Sequence, residues 1–231
     1  MLNAPFQLFD QVQSQLGSGN LFVEIGTARG SGSTPYFYNY SANTGNDFVT
    51  VDIYPIALPP AIKRATMSGE TWVRAQLPNL NKQISLAFLD GFDWTIDPVA
   101  VRNGTAGSDV YNLIKQYASS GLVLNNLNSS MSHMIQVLGM LPYFASKAAI
   151  MFTDTWFNYQ LDTFEGKGAG AIYLLLAEGF QIISASYKLN YVMLGKNVMG
   201  TVNMPNLDQT TLNKIRTGQP IPPNQVIYIN D

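Results

Sequence analysis

The chain has 231 residues, of which 46% are hydrophobic and 12% charged, and its formal net charge at pH 7 is −2. That length suits one α/β domain with additions, and the apolar share is enough for a sizeable core. The charged share is about half the usual one, and no basic cluster occurs, which argues against gripping a phosphate backbone and makes nucleic acid an unexpected partner.

There is no cysteine, which excludes disulfides, thiolate metal sites and thiol nucleophiles and fits a reducing, cytoplasmic setting. The opening MLNAPFQLFDQVQSQLG lacks a basic region followed by an apolar stretch, so no signal peptide is expected. No apolar run approaches the ~18 residues of a membrane span, so no membrane partner is expected either.

In chain order, Phe6, Phe9, Val12 and Leu16 fall near a 3.6 period and predict a helix over 5–16, which GSGN at 17–20 breaks. Leu21, Phe22, Val23 and Ile25 form an apolar run suited to a buried parallel strand. Gly26, Gly30 and Gly32 then allow a tight turn and the approach of a ligand to the backbone. A helix is expected next, made irregular by Pro35 and by Tyr36, Phe37, Tyr38 and Tyr40. Residues 47–53 read as a second strand, which Asp52 closes. An acid there can accept hydrogen bonds from both hydroxyls of a ribose, so the front of the chain suits an adenosine-bearing cofactor.

PPAIKRATM at 59–67 reads as a short helix and ETWVRAQ at 70–76 as a third strand. ISLAFLDGF at 84–92 is a buried fourth strand ending at Asp90. Residues 95–130 are a polar, Gly- and Asn-rich interval holding one helix-like piece, VYNLIKQYA. A helix over 131–144, a strand over 148–155, a helix around 167–178 and two strands, FQIISASY and NYVMLGKN, follow. The tail 201–231 carries a short helix near 208–217 and an apolar VIYI at 226–229, expected to pair with a sheet edge or a second subunit in a homo-oligomer. The whole reads as a single domain, 1–231, with 95–130 as an inserted cap and 201–231 as an extension. Trp94 is the expected hinge of the cap, and removing 97–127 is expected to spare cofactor binding while abolishing turnover.

Alternating strands and helices imply a mostly parallel sheet covered on both faces, with ligands at the carboxyl ends of its strands. Glu24, Asp52, Asp90 and Asp154 all lie at or near such ends. Glu24-Ile25-Gly26-Thr27-Ala28-Arg29-Gly30-Ser31-Gly32-Ser33, Asp52, FLDGFDW at 88–94, IMFTDTW at 150–156 and the closing helix–strand–strand pattern resemble the class I S-adenosylmethionine-dependent methyltransferases, in particular the small-molecule O-methyltransferases. The resemblance covers roughly residues 5–200. It implies a Rossmann-like α/β fold with helices on both faces and a closing antiparallel hairpin, a small-molecule substrate, and S-adenosylmethionine as cofactor.

The resemblance also implies roles. Glu24 would hold the glycine turn through backbone N–H groups and reach toward the methionine part of the cofactor. Gly26 and Gly30 would let the chain pass against it, with Thr27, Ser33, Gly91 and Phe92 nearby and Asp52 on the ribose. The adenine partner is less clear, with Gln76 a candidate. Asp90 and Asp154 match two positions that bind a divalent cation in metal-dependent members, where Mg²⁺ would suit the oxygen ligands; Thr155 stands where a third ligand is usual. His133, the only histidine, and Asp154 are the candidate catalytic residues, His133 as a general base, and Asp90 is also expected to bind the cofactor. The aromatics Tyr36, Phe37, Tyr38, Phe92, Trp94, Trp156 and Phe157 fall around the proposed cofactor-end loops, and Trp156 and Phe157 would flank a substrate pocket.

Two other readings stay open. Gly26-x-x-x-Gly30-x-Gly32 with Ser130, Tyr143 and Lys147 resembles the short-chain dehydrogenases, which use NAD(P) and a Tyr-x-x-x-Lys pair on one helix. A methyltransferase-like domain used only for binding or assembly is the other.

Overall fold

The computed structural model describes residues 5–27, 30, 32–94, 97–158, 161, 163–186 and 189–199. Seven strands form one sheet in the order β3-β2-β1-β4-β5-β9-β8, where β1 is Leu21–Ile25, β2 Asp47–Asp52, β3 Lys63–Thr66, β4 Ile84–Leu89, β5 Phe144–Thr153, β8 Gln181–Ser186 and β9 Tyr191–Lys196. The pairs from β3 through β5 are parallel. β9 runs antiparallel to β5 and to β8. This is the mostly parallel sheet with a closing antiparallel hairpin expected from the sequence. A second, two-stranded sheet pairs β6 (Thr155–Asn158) with β7 (Thr163–Gly166) just past the end of β5.

Helices cover both faces. On one side α1 (Ser33–Thr44) and two N-terminal 3₁₀ segments, Pro5–Gln11 and Gln13–Gln15, bury Phe9, Val12, Phe37 and Tyr40 against Phe22, Phe48 and Phe88. On the other, α2 (Gly69–Ala75), α5 (Asn126–Met140) and α6 (Ala169–Ala177) bury Trp72, Val137 and Leu175 against Val23, Ala87 and Ile150. β1 and β4 are buried at every position, as strands covered on both faces must be. Pro35 falls in the first turn of α1, where its missing N–H has no intrahelical partner to lose. Among the described residues no helix is long and apolar enough to cross a membrane.

Several expected elements change. The helix placed at 59–67 is instead the edge strand β3, and the strand placed at 70–76 is α2. Ser68 caps α2, its hydroxyl accepting from Thr71 N–H, with Glu70 in the first turn and Arg74 in the last. That local capping and charge order outweigh the strand preference of Thr71, Trp72 and Val73. The segment expected as one helix over 5–16 is 3₁₀. α5 starts earlier than expected, inside the interval read as a cap, and stops at Met140 before Pro142. β5 begins at Phe144, with a register shift against β4 between Ile84 and Leu86. The tail helix and VIYI lie outside the described residues.

The β5 boundary removes the dehydrogenase reading. Tyr143 closes a 3₁₀ turn, while Lys147 is exposed on β5. They do not share a helix, and Ser130 sits on α5.

One contact sets the loops above the sheet. Gly26 follows β1 with φ +100°, and a Cβ there would stand 2.4 Å from Gly91 N and 2.5 Å from Asp90 C. Gly26→Ala combines this clash with a backbone conformation hostile to a side chain, so we expect a loss of about 3 kcal/mol or more in stability, read by urea unfolding.

Candidate functional site

Strand order reverses between β1 and β4, and ligands in open α/β sheets sit outside the strand ends at such a point. A cleft of about 670 Å³ lies there. Its floor is Ile25, Gly26, Asp90, Gly91 and Phe92; one wall is Asp52, Ile53 and Tyr54 after β2, with Met67, Ser68 and Gly69 ahead of α2. Ser132, Ile135 and Gln136 of α5 complete it from the other side. Asp52 stands at the wall with Oδ2 accepting from Thr27 N–H at 2.8 Å and Oδ1 from Tyr54 N–H at 2.9 Å. The acid is thus fixed by backbone donors from two loops.

The cap is a wall of this cleft, not a cover over a separate one. It holds α3 (Pro98–Arg102) and α4 (Ser108–Ser119), and Leu113, Gln116 and Tyr117 of α4 line the cleft opposite Asp52. Tyr117 pins it: the hydroxyl accepts from Asp93 N–H at 2.8 Å and donates to Asp93 Oδ2 at 2.9 Å. Its ring packs 4.9 Å from that of Phe92, which holds φ +58° to present it. Burial, with the Asp93 carboxylate beside it, raises the phenol's pKa. The interval 97–127 thus supplies part of the cleft's own lining.

Among the described residues the partners of Glu24 are side-chain hydroxyls. Its carboxylate is fully buried and accepts from the hydroxyls of Ser33, Thr34 and Thr50, the last two at 2.7 Å. It ties the first turn of α1 to β1 and β2, and it does not line the cleft. Ser33 is engaged there too, and Thr27, 3% exposed, directs its hydroxyl to Thr50. Gly26 makes room for the loop after β4, and Gly30, at φ +69°, makes room for Leu58. These residues shape the site from behind. Tyr36 and Phe37, expected near the cofactor end, pack with Phe6 on the α1 side of the sheet.

Asp90, which lines the cleft, and Asp154, which does not, converge on a lysine. Lys167 Nζ lies 2.7 Å from Asp90 Oδ1 and 3.0 Å from Asp154 Oδ2. Burial by itself would lower the pKa of this ammonium; the two carboxylates outweigh it and raise the value. Thr153 also donates to Asp90 Oδ1. Thr155 is fully buried, donating to Thr153 O and accepting from Gly168 N–H, so its hydroxyl is turned away from the two acids. Among the described residues no three His, Asp or Glu side chains are grouped to hold a metal ion. The donor set does not fit Mg²⁺, and the metal expected at Asp90 and Asp154 is withdrawn. Lys167 was not singled out from the sequence. Its signal is a lone charge in the Gly-Lys-Gly step before an apolar helix.

His133 lies within α5, fully buried, with Nδ1–H donating to Ser129 O at 2.8 Å. Burial and then the charge of Lys167 push its pKa down to about 3. A neutral, enclosed imidazole favours a packing role over taking a proton in the cleft, and the ring does not line it. Gln76 ends α2 and does not line the cleft; the amides that do are Gln116 and Gln136, and Oε1 of Gln136 is buried with no hydrogen-bond partner among the described residues. Outside the cleft, Trp94 and Trp156 meet edge to face at 6.5 Å, and Trp156 Nε1 donates to Glu165.

No protein-family model matches the chain. No curated protein matches it either. Among solved structures, it is similar to one described as a ribosomal RNA methyltransferase from Plasmodium falciparum, with 15% identity over 79% of this chain and 88% of that one and a TM-score of 0.48. It is also similar to the N-methyltransferase NodS from Bradyrhizobium japonicum WM9 in complex with S-adenosyl-L-homocysteine, with 13% identity over 87% of this chain and 90% of that one and a TM-score of 0.41.

Burial raises the Glu24 carboxyl above its ordinary 4.5; the three hydroxyls oppose this and the charge of Asp90 adds to it. The folded chain then holds this proton more tightly than the unfolded one. The associated stability is present below pH 4.5 and is lost as pH rises through the folded value. The stability difference between Glu24→Gln and the native chain should therefore shift toward the variant from about pH 4 to about pH 7, measured by urea unfolding at each pH.

Proposed function

We propose that the chain is an S-adenosylmethionine-dependent methyltransferase acting on a small molecule at a hydroxyl oxygen. The observation that carries this reading is the cleft of about 670 Å³ at the β1–β4 switch point, with Asp52 fixed at the end of β2 and Asp90 at the end of β4. The volume and the mixed apolar and polar lining suit a nucleoside-bearing cofactor. Asp52 would hold the ribose, Ile53 and Met67 would flank the adenine, and Gln136 would offer a carbonyl oxygen to its amino group. When bound, the cofactor supplies an electrophilic methyl group.

What the chain's own residues do is alignment and proton handling. Asp90 Oδ1 is held by Lys167 and Thr153, which leaves Oδ2 as the oxygen available to the cleft. Asp154 is held through Oδ2, which leaves Oδ1. A carboxylate at that place can orient a substrate hydroxyl and take its proton as the oxygen attacks. Trp94 and Trp156, outside the proposed cofactor cleft, would offer an aromatic wall to an apolar or planar substrate. A net charge of −2 and the acids at the strand ends favour a small molecule over nucleic acid.

Calorimetry with S-adenosylhomocysteine tests this reading. We expect binding by the native chain, a loss of about tenfold or more in Asp52→Ala, and no binding of NAD or NADP. Binding of NAD with none of S-adenosylhomocysteine would overturn it. Tyr117→Phe removes both hydrogen bonds to Asp93 and loosens the cap; cofactor affinity should fall by about 1–2 kcal/mol in the same measurement, with little change in the unfolding midpoint.

A further inference from the structure

Packing fixes the Gly166–Lys167–Gly168 step between β7 and α6 from both sides. Gly166 has φ +95°, and a Cβ there would stand 2.0 Å from Asp154 O. A Cβ on Gly168 would stand 2.6 Å from Cγ of Phe152. Neither position has room for a side chain, so the backbone is pressed against the end of β5. Two hydrogen bonds lock it there, Lys167 N–H to Asp154 O at 3.1 Å and Gly168 N–H to Thr155 Oγ1 at 3.0 Å. The result is a lysine side chain 1% exposed whose only charged contacts among the described residues are Asp90 and Asp154.

Two carboxylates from neighbouring strand ends closing on one central cation is the arrangement of a divalent-ion site, here with an ammonium at the centre. We propose that Lys167 is a built-in replacement for a divalent cation: it fixes Asp90 and Asp154 beside the cleft and keeps metal ions out of the place between them. The ammonium contacts of 2.7 and 3.0 Å are longer than the ~2.1 Å that Mg²⁺ demands, so an ion displaces the lysine or does not enter. One consequence rests on the methyltransferase reading above. A lysine brings one positive charge against two carboxylates, so the group stays negative overall. It selects a neutral substrate that carries a proton on its nucleophile, a hydroxyl or an amine, over a phosphate or carboxylate.

Uptake of Mn²⁺ by the full chain, followed by electron paramagnetic resonance, reads this position without cofactor or turnover. Native Mn²⁺ uptake is expected to be the same with and without Asp154→Asn. Lys167→Ala is expected to gain one site, about tenfold or more tighter than any in the native chain, and adding Asp154→Asn should remove it. If Lys167→Ala unfolds in chelator, recovery of its circular dichroism with Mn²⁺ supports the proposal equally. Native uptake that Asp154→Asn abolishes would overturn it. So would a folded Lys167→Ala chain with no new site, or one that stays unfolded in Mn²⁺. Failure of the native chain to bind S-adenosylhomocysteine would remove the methyltransferase reading and leave the Mn²⁺ outcomes untouched.

Discussion

The close approach of two loops at Gly26 underlies the rest of the site. Gly26 N–H donates to Val51 O at 2.9 Å, and Asp90 N–H donates to Ile25 O at 2.8 Å, so β1 is bonded to both neighbours up to its last residue. The backbone of Asp90 and Gly91 then crosses where a Cβ on Gly26 would lie. This crossing makes the floor of the cleft backbone rather than side chain. It also sets where Asp90 leaves the sheet, and with it the meeting with Asp154 and Lys167.

Buried charge is handled in two ways within a short distance. Among the described residues no cation pairs with Glu24; burial raises its pKa, and the hydroxyls of Ser33, Thr34 and Thr50 restrain the shift. Lys167 has two carboxylates within 3.0 Å, and their attraction more than offsets the cost of burial. The first arrangement braces α1 against the sheet. The second holds two acids whose side chains are 40% and 47% exposed, Asp90 among them lining the cleft. The exposed ends of these acids are the chemically available ones, because solvent can reach them. Glu24, though it sits in the most recognisable motif of the chain, is sealed off.

Much of the fold was legible. The runs at 21–25, 84–89 and 148–153 are too apolar and too short to be surface helices, and they proved to be central strands. VYNLIKQYA has a helical apolar face and lies within α4. Misreading came where local preferences conflict. In 59–76 the β-prone Trp72 and Val73 sit in a capped helix, while Lys63 and Arg64 form an edge strand that solvent tolerates. The interval 95–130 stands out in the sequence as an addition, but its contact with the cleft depends on Tyr117 reaching Asp93 across 24 positions.

By itself the sequence determined the alternation of strands and helices, the glycine turn after β1 and the acids at the strand ends. Periodicity, apolar runs and glycine are local signals, and the chain must satisfy them wherever it folds. Only the tertiary structure decided what each acid does. Asp52 took two backbone N–H groups, Glu24 took three hydroxyls, and Asp90 took a lysine 77 positions away. A carboxylate looks the same in a sequence whatever it faces. Its partner is fixed by which strand ends lie side by side and by how closely glycines let the connecting loops approach them.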